Sequence, residues 1–217
     1  MNVSCKISTI LMASFILTAV GFTHSLSEER RVRAKIGIQI KSDDNIKRAK
    51  SMDRVRTSDF LRIYVLPEEP FHVYVVHTDY TTATLLNTAK DNSPKVTHLT
   101  IPSRKDFYQV DGKSPIEGFS IVCSPDELIE MSELFGSGSI SHHKWAAYET
   151  ALRQKSKIDL SQRIEKPFAI AGNVRGNKSF AGNDRGNKSD TDVFIQALPI
   201  FSGNHILVRT YEFRVKK

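Results

Sequence analysis

The chain has 217 residues, 40% of them hydrophobic, and a formal net charge of +7. That is enough apolar material for one ordinary domain with a core, and two domains would be cramped. The chain has two cysteines, which excludes a disulfide-rich scaffold: Cys5 lies in a segment expected to be removed, which leaves Cys123 alone.

The first 25 residues follow their own grammar. Lys6 precedes an uncharged apolar and small-residue run from Ile7 to Phe22, and Thr23 and Ser25 then occupy the −3 and −1 positions of a cleavage after Ser25. Residues 1–25 therefore read as a secretory signal peptide, because the run falls short of the ~20 residues of a spanning helix. The mature chain is expected to be exported, periplasmic or extracellular, and soluble. No cysteine stands at the end of the apolar run to take a lipid.

Residues 26–49 read as a basic N-terminal segment, ahead of a single domain at 50–217. Between Arg30 and Arg62 stand eleven Lys or Arg and four Asp, a local excess of +7. Such a stripe attracts phosphate-rich or carboxylate-rich polymers, and it also suits a solvated strand face. No nucleic-acid motif or interleaved aromatics accompany it, so neither nucleic acid nor nucleotide is expected as partner.

Alternation dominates from there. "AKIGIQIK" puts Ile36, Ile38 and Ile40 on one face, "FLRIYVL" Leu61, Ile63 and Val65, and "FHVYVVH" Phe71, Val73 and Val75. "PEEP" lies between the last two, so residues 60–78 are expected to form a hairpin with Glu68 and Glu69 at its tip. Further strands are expected at 82–87, 95–101, 106–110, 117–123, 165–170, 193–198 and 205–215. In the last of these Leu207, Tyr211, Phe213 and Val215 share one side.

Two helices interrupt the pattern. "SPDELIEMSELF" supplies Ser124 as N-cap, Pro125 at the first helical position and Glu127 to close a capping box, with Leu128, Met131, Leu134 and Phe135 as apolar side and Gly136 as stop. A second helix is expected at 143–155, where Trp145, Tyr148 and Leu152 recur at helical spacing. The pattern predicts a mainly β fold, a β-sandwich with a short helical insertion at about 124–155.

"VRTSDFLRIYVLPEEPFHVYVVHTD", "LLNTAKDN" and "IPSRKDFYQVDGKSPIEGFSIVCSPDEL", in that order, resemble the bacterial domain of unknown function 4384. The resemblance covers residues 50–135 and extends loosely over 160–216, with Ser58 where the family carries Gly before Asp59. It implies an immunoglobulin-like sandwich and carries no established activity.

Candidate chemistry is sparse. Cys123 is in register with Phe119 and Ile121, which predicts an inert core thiol. His142 and His143 are adjacent, about a hundred degrees apart on a helix, where a zinc pair wants i, i+4 spacing. Glu68 and Glu69 sit where nothing desolvates them. "AGNVRGNKSF AGNDRGNKSD" at 171–190 is one ten-residue unit written twice, and Gly172 to Ser179 approaches a phosphate loop with its second glycine one place early. Without a strand before it and an apolar helix after it, the stretch reads as a duplicated surface loop. No catalytic, metal or cofactor site is expected. The reading is an exported, non-enzymatic module binding a protein or an anionic envelope polymer. The alternative is a secreted hydrolase with an unrecognised site, around His142, His143 and 171–190.

Overall fold

The computed structural model describes residues 30–43, 45–87, 94–157 and 190–216. The expected signal peptide, the strand expected at 165–170 and residues 171–189 of the duplication lie outside them.

Among the described residues the alternating segments become β1 (Arg31–Ser42), β2 (Asn45–Arg48), β3 (Arg54–Arg56), β4 (Phe60–Pro67), β5 (His72–Thr78), β6 (Thr82–Leu85), β7 (Leu99–Ile101), β8 (Tyr108–Gln109) and β9 (Ile116–Ser124). After them come α1 (Ile129–Phe135), β10 (Ile140–Ser141), α2 (His142–Ser156), α3 (Asp190–Gln196), β11 (Ile200–Asn204) and β12 (Leu207–Lys216). The fold is mainly β, in two sheets. The first runs β11-β1-β4-β7, with β2 paired to β1 and β8 to β4; the second runs β10-β6-β5-β9-β12-β3.

Period-2 alternation places one apolar row of each strand between the sheets. Ile36, Ile38 and Ile40 of β1, Leu61, Ile63 and Val65 of β4, Val73 and Val75 of β5, Phe119, Ile121 and Cys123 of β9, and Phe213 of β12 form a single buried cluster. The opposite face of the second sheet is also covered. Tyr74, Val76 and Val122 meet Met131 and Phe135 of α1 and Trp145 and Leu152 of α2 in a second cluster. This is why β5 and β9 read as nearly continuous apolar runs rather than clean alternation.

On the outer face of the first sheet, Tyr64 of β4 packs against Phe194 of α3 with ring centroids 5.4 Å apart. Leu198 follows close behind. It lies so near Gly37 of β1 that a Cβ there would collide with Leu198 Cδ2, so the glycine serves close approach.

Four sequence expectations give way to long-range pairing. The segment at 26–49, set apart as a basic stretch, supplies β1, which pairs with β4 from Ala34↔Pro67 to Lys41↔Phe60 in the middle of the first sheet. Residues 60–78 are not a hairpin: β4 belongs to the first sheet and β5 to the second, so "PEEP" carries the chain across the sandwich. β4 finds its partners in β1 and β7, and β5 in β6 and β9, which leaves neither free to pair with the other.

Ser124 does not cap a helix. It ends β9 opposite His72, 3% exposed, and α1 starts at Ile129 after Leu128, which has no side-chain cap. The Leu128 N–H instead donates to Tyr74 Oη at 2.9 Å. Finally, 193–198 is helical through Gln196 rather than a strand, because Phe194 and Leu198 are drawn down onto the first sheet. The expected helix at 143–155 lies within α2, with Trp145 and Leu152 buried.

Candidate functional site

The basic stripe does not stay together. Arg62 is buried on the outer face of the first sheet, 5% exposed, donating from Nε to Asp106 O at 3.0 Å and from Nη1 to Tyr64 Oη at 3.3 Å, with its guanidinium 3.6 Å from the centre of the Phe107 ring. Arg33 pairs with Glu68 at 3.3 Å, Arg30 with Asp126 at 3.8 Å, and Arg48 donates to Ala197 O at 2.8 Å. These cations serve the fold or its solvated rim.

Three others converge. Lys47 of β2 and Arg54 and Arg56 of β3 meet Lys216 of β12 around a cavity of about 410 Å³, which Ser42, Asp43, Asn45, Val55 and Asp59 complete. Lys47 lies opposite Ile40 in the β1–β2 ladder, so it is on the inward face of the first sheet. β3 and β12 belong to the second sheet, so the cavity is lined by residues of both layers.

The β3–β12 register is unusual in its charge. The two strands run parallel with Arg54 opposite Arg214 and Arg56 opposite Lys216, while Val55 turns into the core. Like charges directly opposite destabilise a ladder. None of Lys47, Arg54, Arg56 and Lys216 has an ion-pair partner among the described residues. Asp59 is 3% exposed; its Oδ2 accepts the Arg56 N–H at 2.9 Å, and its Oδ1 has no hydrogen-bond partner among the described residues.

A second cleft of about 290 Å³ opens between the sheets. Leu61, Leu86, Val110 and Phe119 supply its apolar wall, and His77, Asp79, Asp111, Lys113 and Glu117 its polar one. His77 Nε2 is hydrogen-bonded to Glu117 Oε2. The Thr82 and Thr81 N–H groups, with the Thr82 hydroxyl and the nearby His77, hold the Asp79 carboxyl below the usual range. Hydrogen bonds from Lys113 do the same for Asp111. The described residues lining this cleft include no Ser, Thr or Cys side chain beside the histidine–carboxylate pair.

The residues singled out in the sequence fall elsewhere. Cys123 is fully buried between the sheets, and burial pushes its thiol up to about 12, so it stays protonated. His142 packs on Tyr80 at 4.6 Å and its Nδ1 meets Thr78 Oγ1 at 2.9 Å, while His143 is exposed. No group of three metal-ligating side chains assembles among the described residues. Glu68 and Glu69 are exposed.

Sequence reading missed His77 and Glu117 because they are 40 residues apart and each closes or opens an otherwise apolar strand. The only local signal was a single glutamate in "IEGFSIVCS". Lys216 was equally invisible as a partner of Arg56. Neither a family model, nor a curated protein, nor a solved structure matches the chain.

Proposed function

We propose that this protein is an exported, non-enzymatic binding module of immunoglobulin-like build that holds an anionic envelope polymer at the basic end of its sandwich. The observation that carries this reading is that Lys47, Arg54, Arg56 and Lys216 all line one cavity, with no carboxylate paired to any of them among the described residues. Unpaired, concentrated positive charge in a concave site raises the local concentration of anions. The immunoglobulin-like part of the reading draws support from strand order. β1-β4-β7 follows strands A-B-E of that architecture, and β5-β9-β12 follows C-F-G, with the chain crossing between sheets at "PEEP". The sandwich implied by the 4384 resemblance is of the same kind.

Retention of the protein on dextran sulfate, with neutral dextran as control, tests the binding. It should hold at 50 mM salt and fall by about tenfold or more towards 500 mM as screening shortens the reach of the exposed charges. The quadruple variant Lys47→Ala, Arg54→Ala, Arg56→Ala, Lys216→Ala should lose it while melting at an unchanged or higher temperature. Equal retention of parent and variant would refute the assignment.

A further inference from the structure

The cleft around His77 and Glu117 shares no lining residue with the basic cavity. We infer that this cleft is a second binding site, independent of the polymer reading, and that it takes a small primary amine: an ammonium head held by the Glu117 carboxylate, with a compact apolar body laid against the edge of the core.

The ladders fix where the head group goes. Glu117 stands opposite Phe213 in the β9–β12 register and His77 opposite Phe119 in the β5–β9 register, and both phenylalanines belong to the core between the sheets. Directly opposed residues share a face, so Glu117 and His77 point between the sheets, into the cleft they line. The Glu117 side chain is 9% exposed. Its Oε2 is bonded to His77 Nε2, whereas its Oε1 takes no hydrogen bond among the described residues. Oε1 is not one of the unpartnered polar atoms that are sealed from solvent, so it opens onto the cleft. A carboxylate oxygen almost withdrawn from water and still without a donor favours one strongly, and a charged N–H is the strongest that a ligand can bring.

Charge and shape narrow the ligand further. Asp79, Asp111 and Glu117 line the cleft against the single ammonium of Lys113, so the local field favours a cation. Lys113 does not fill that role for Glu117, because its Nζ lies 2.9 Å from Asp111 and its side chain is 87% exposed. Of the three carboxylates Glu117 is the buried one, whereas Asp79 is half-buried and Asp111 exposed. The facing wall, Leu61, Leu86, Val110 and Phe119, is apolar, and a bare ammonium would leave it wet. At about 290 Å³ the cleft is at the small end of ligand sites, with room for a benzyl or short alkyl group and not for a polymer chain.

Benzylamine at neutral pH, with the isosteric benzyl alcohol and benzoate and with methylammonium as controls, tests the inference by calorimetry and NMR on the full chain. Benzylamine should bind at millimolar concentration and shift the ring resonances of His77 and Phe119 and the methyls of Leu86. Benzyl alcohol and methylammonium each lack half of the match and should bind about tenfold more weakly, and benzoate should not bind. Glu117→Gln keeps the size of the side chain and removes its charge, so it should lose about tenfold for benzylamine with benzyl alcohol unchanged. The quadruple variant of the basic cavity should bind benzylamine as the parent does.

Equal affinity for benzylamine and benzyl alcohol, no binding of benzylamine, shifts confined to residues away from the cleft, or full affinity in folded Glu117→Gln would each overturn the amine site. The ligand series and the shifts need no variant, so a Glu117→Gln chain that fails to fold leaves the test intact. Retention on dextran sulfate is decided separately, and its loss would remove the polymer reading without touching the amine site.

Discussion

Cys123 shows how a single side chain is governed by its surroundings. Its neighbours in register are Phe119 and Ile121, its exposure is zero, and desolvation holds the proton on sulfur. Cys123→Ala should cost about 1–2 kcal/mol through lost packing, read as a shift in denaturant midpoint, with polymer retention unchanged. The thiol also makes the alkaline limb predictable. Its folded pKa is raised, so the stability it contributes is complete below the unfolded value near 8.5 and fades as pH climbs from there towards 12. Rapid alkylation of the native thiol at pH 8 would contradict this.

Asp79 has the opposite sign. Its folded pKa is depressed, chiefly by the Thr82 N–H, so its contribution is complete above the ordinary carboxylate range and disappears as pH falls through the depressed value. A stability profile of Asp79→Asn from pH 7 to pH 2 should be flatter on the acid side than the parent's. A profile parallel to the parent's would show that these hydrogen bonds contribute nothing.

Among the elements, α1 is the clearest case of tertiary override. The local signal for a helix start at Ser124 is strong, yet the β5–β9 ladder takes Ser124 as its last pair, and backbone groups committed to a ladder cannot open a helix. The start moves to Ile129, and the phenol of Tyr74 from the sheet below accepts the Leu128 N–H that a capping side chain would have taken. Tyr74→Phe keeps the ring in its cluster and removes only that acceptor. It should therefore cost about 1 kcal/mol and speed amide exchange at the start of α1, leaving β5 protected. Unchanged exchange at Leu128 would mean that the phenol does not hold the helix. α3 follows the same logic, since Phe194 against Tyr64, with Leu198 just after the helix against Gly37, holds a segment of strand-like composition as a helix.

At the scale of the molecule, the two sheets stand or fall on β1. It pairs with β4, β2 and β11, and its Ile36, Ile38 and Ile40 are wholly buried. At about 1.5–3 kcal/mol for each buried isoleucine, their loss alone is comparable with the ~5–15 kcal/mol that holds a domain together. A chain starting at residue 50 should show no cooperative thermal transition, whereas one starting at Leu26 should melt like the full chain. A sharp transition in the shorter chain would show that the second sheet folds without β1. The export proposal has its own measurement: the secreted form should have the mass of residues 26–217 with no acyl addition.

What the order of residues determines by itself here is local. Alternation identified the inward rows of β1, β4, β5 and β12, and helical spacing placed Trp145 and Leu152 on the buried side of α2, because both periods are set by backbone geometry within a few residues. Cys123 was legible for the same reason. Which sheet a strand joins was not, since "PEEP" serves a hairpin and a crossing equally well and only the competition among β1, β5, β7 and β9 for partners decides. The start of α1 and the helical state of α3 depend on the surface each packs against. The site is the least local feature of all. Lys47, Arg54, Arg56 and Lys216 reach one cavity only because β2 and β3 edge different sheets and the last strand returns beside the third, an arrangement settled by long-range pairing that no short window of sequence contains.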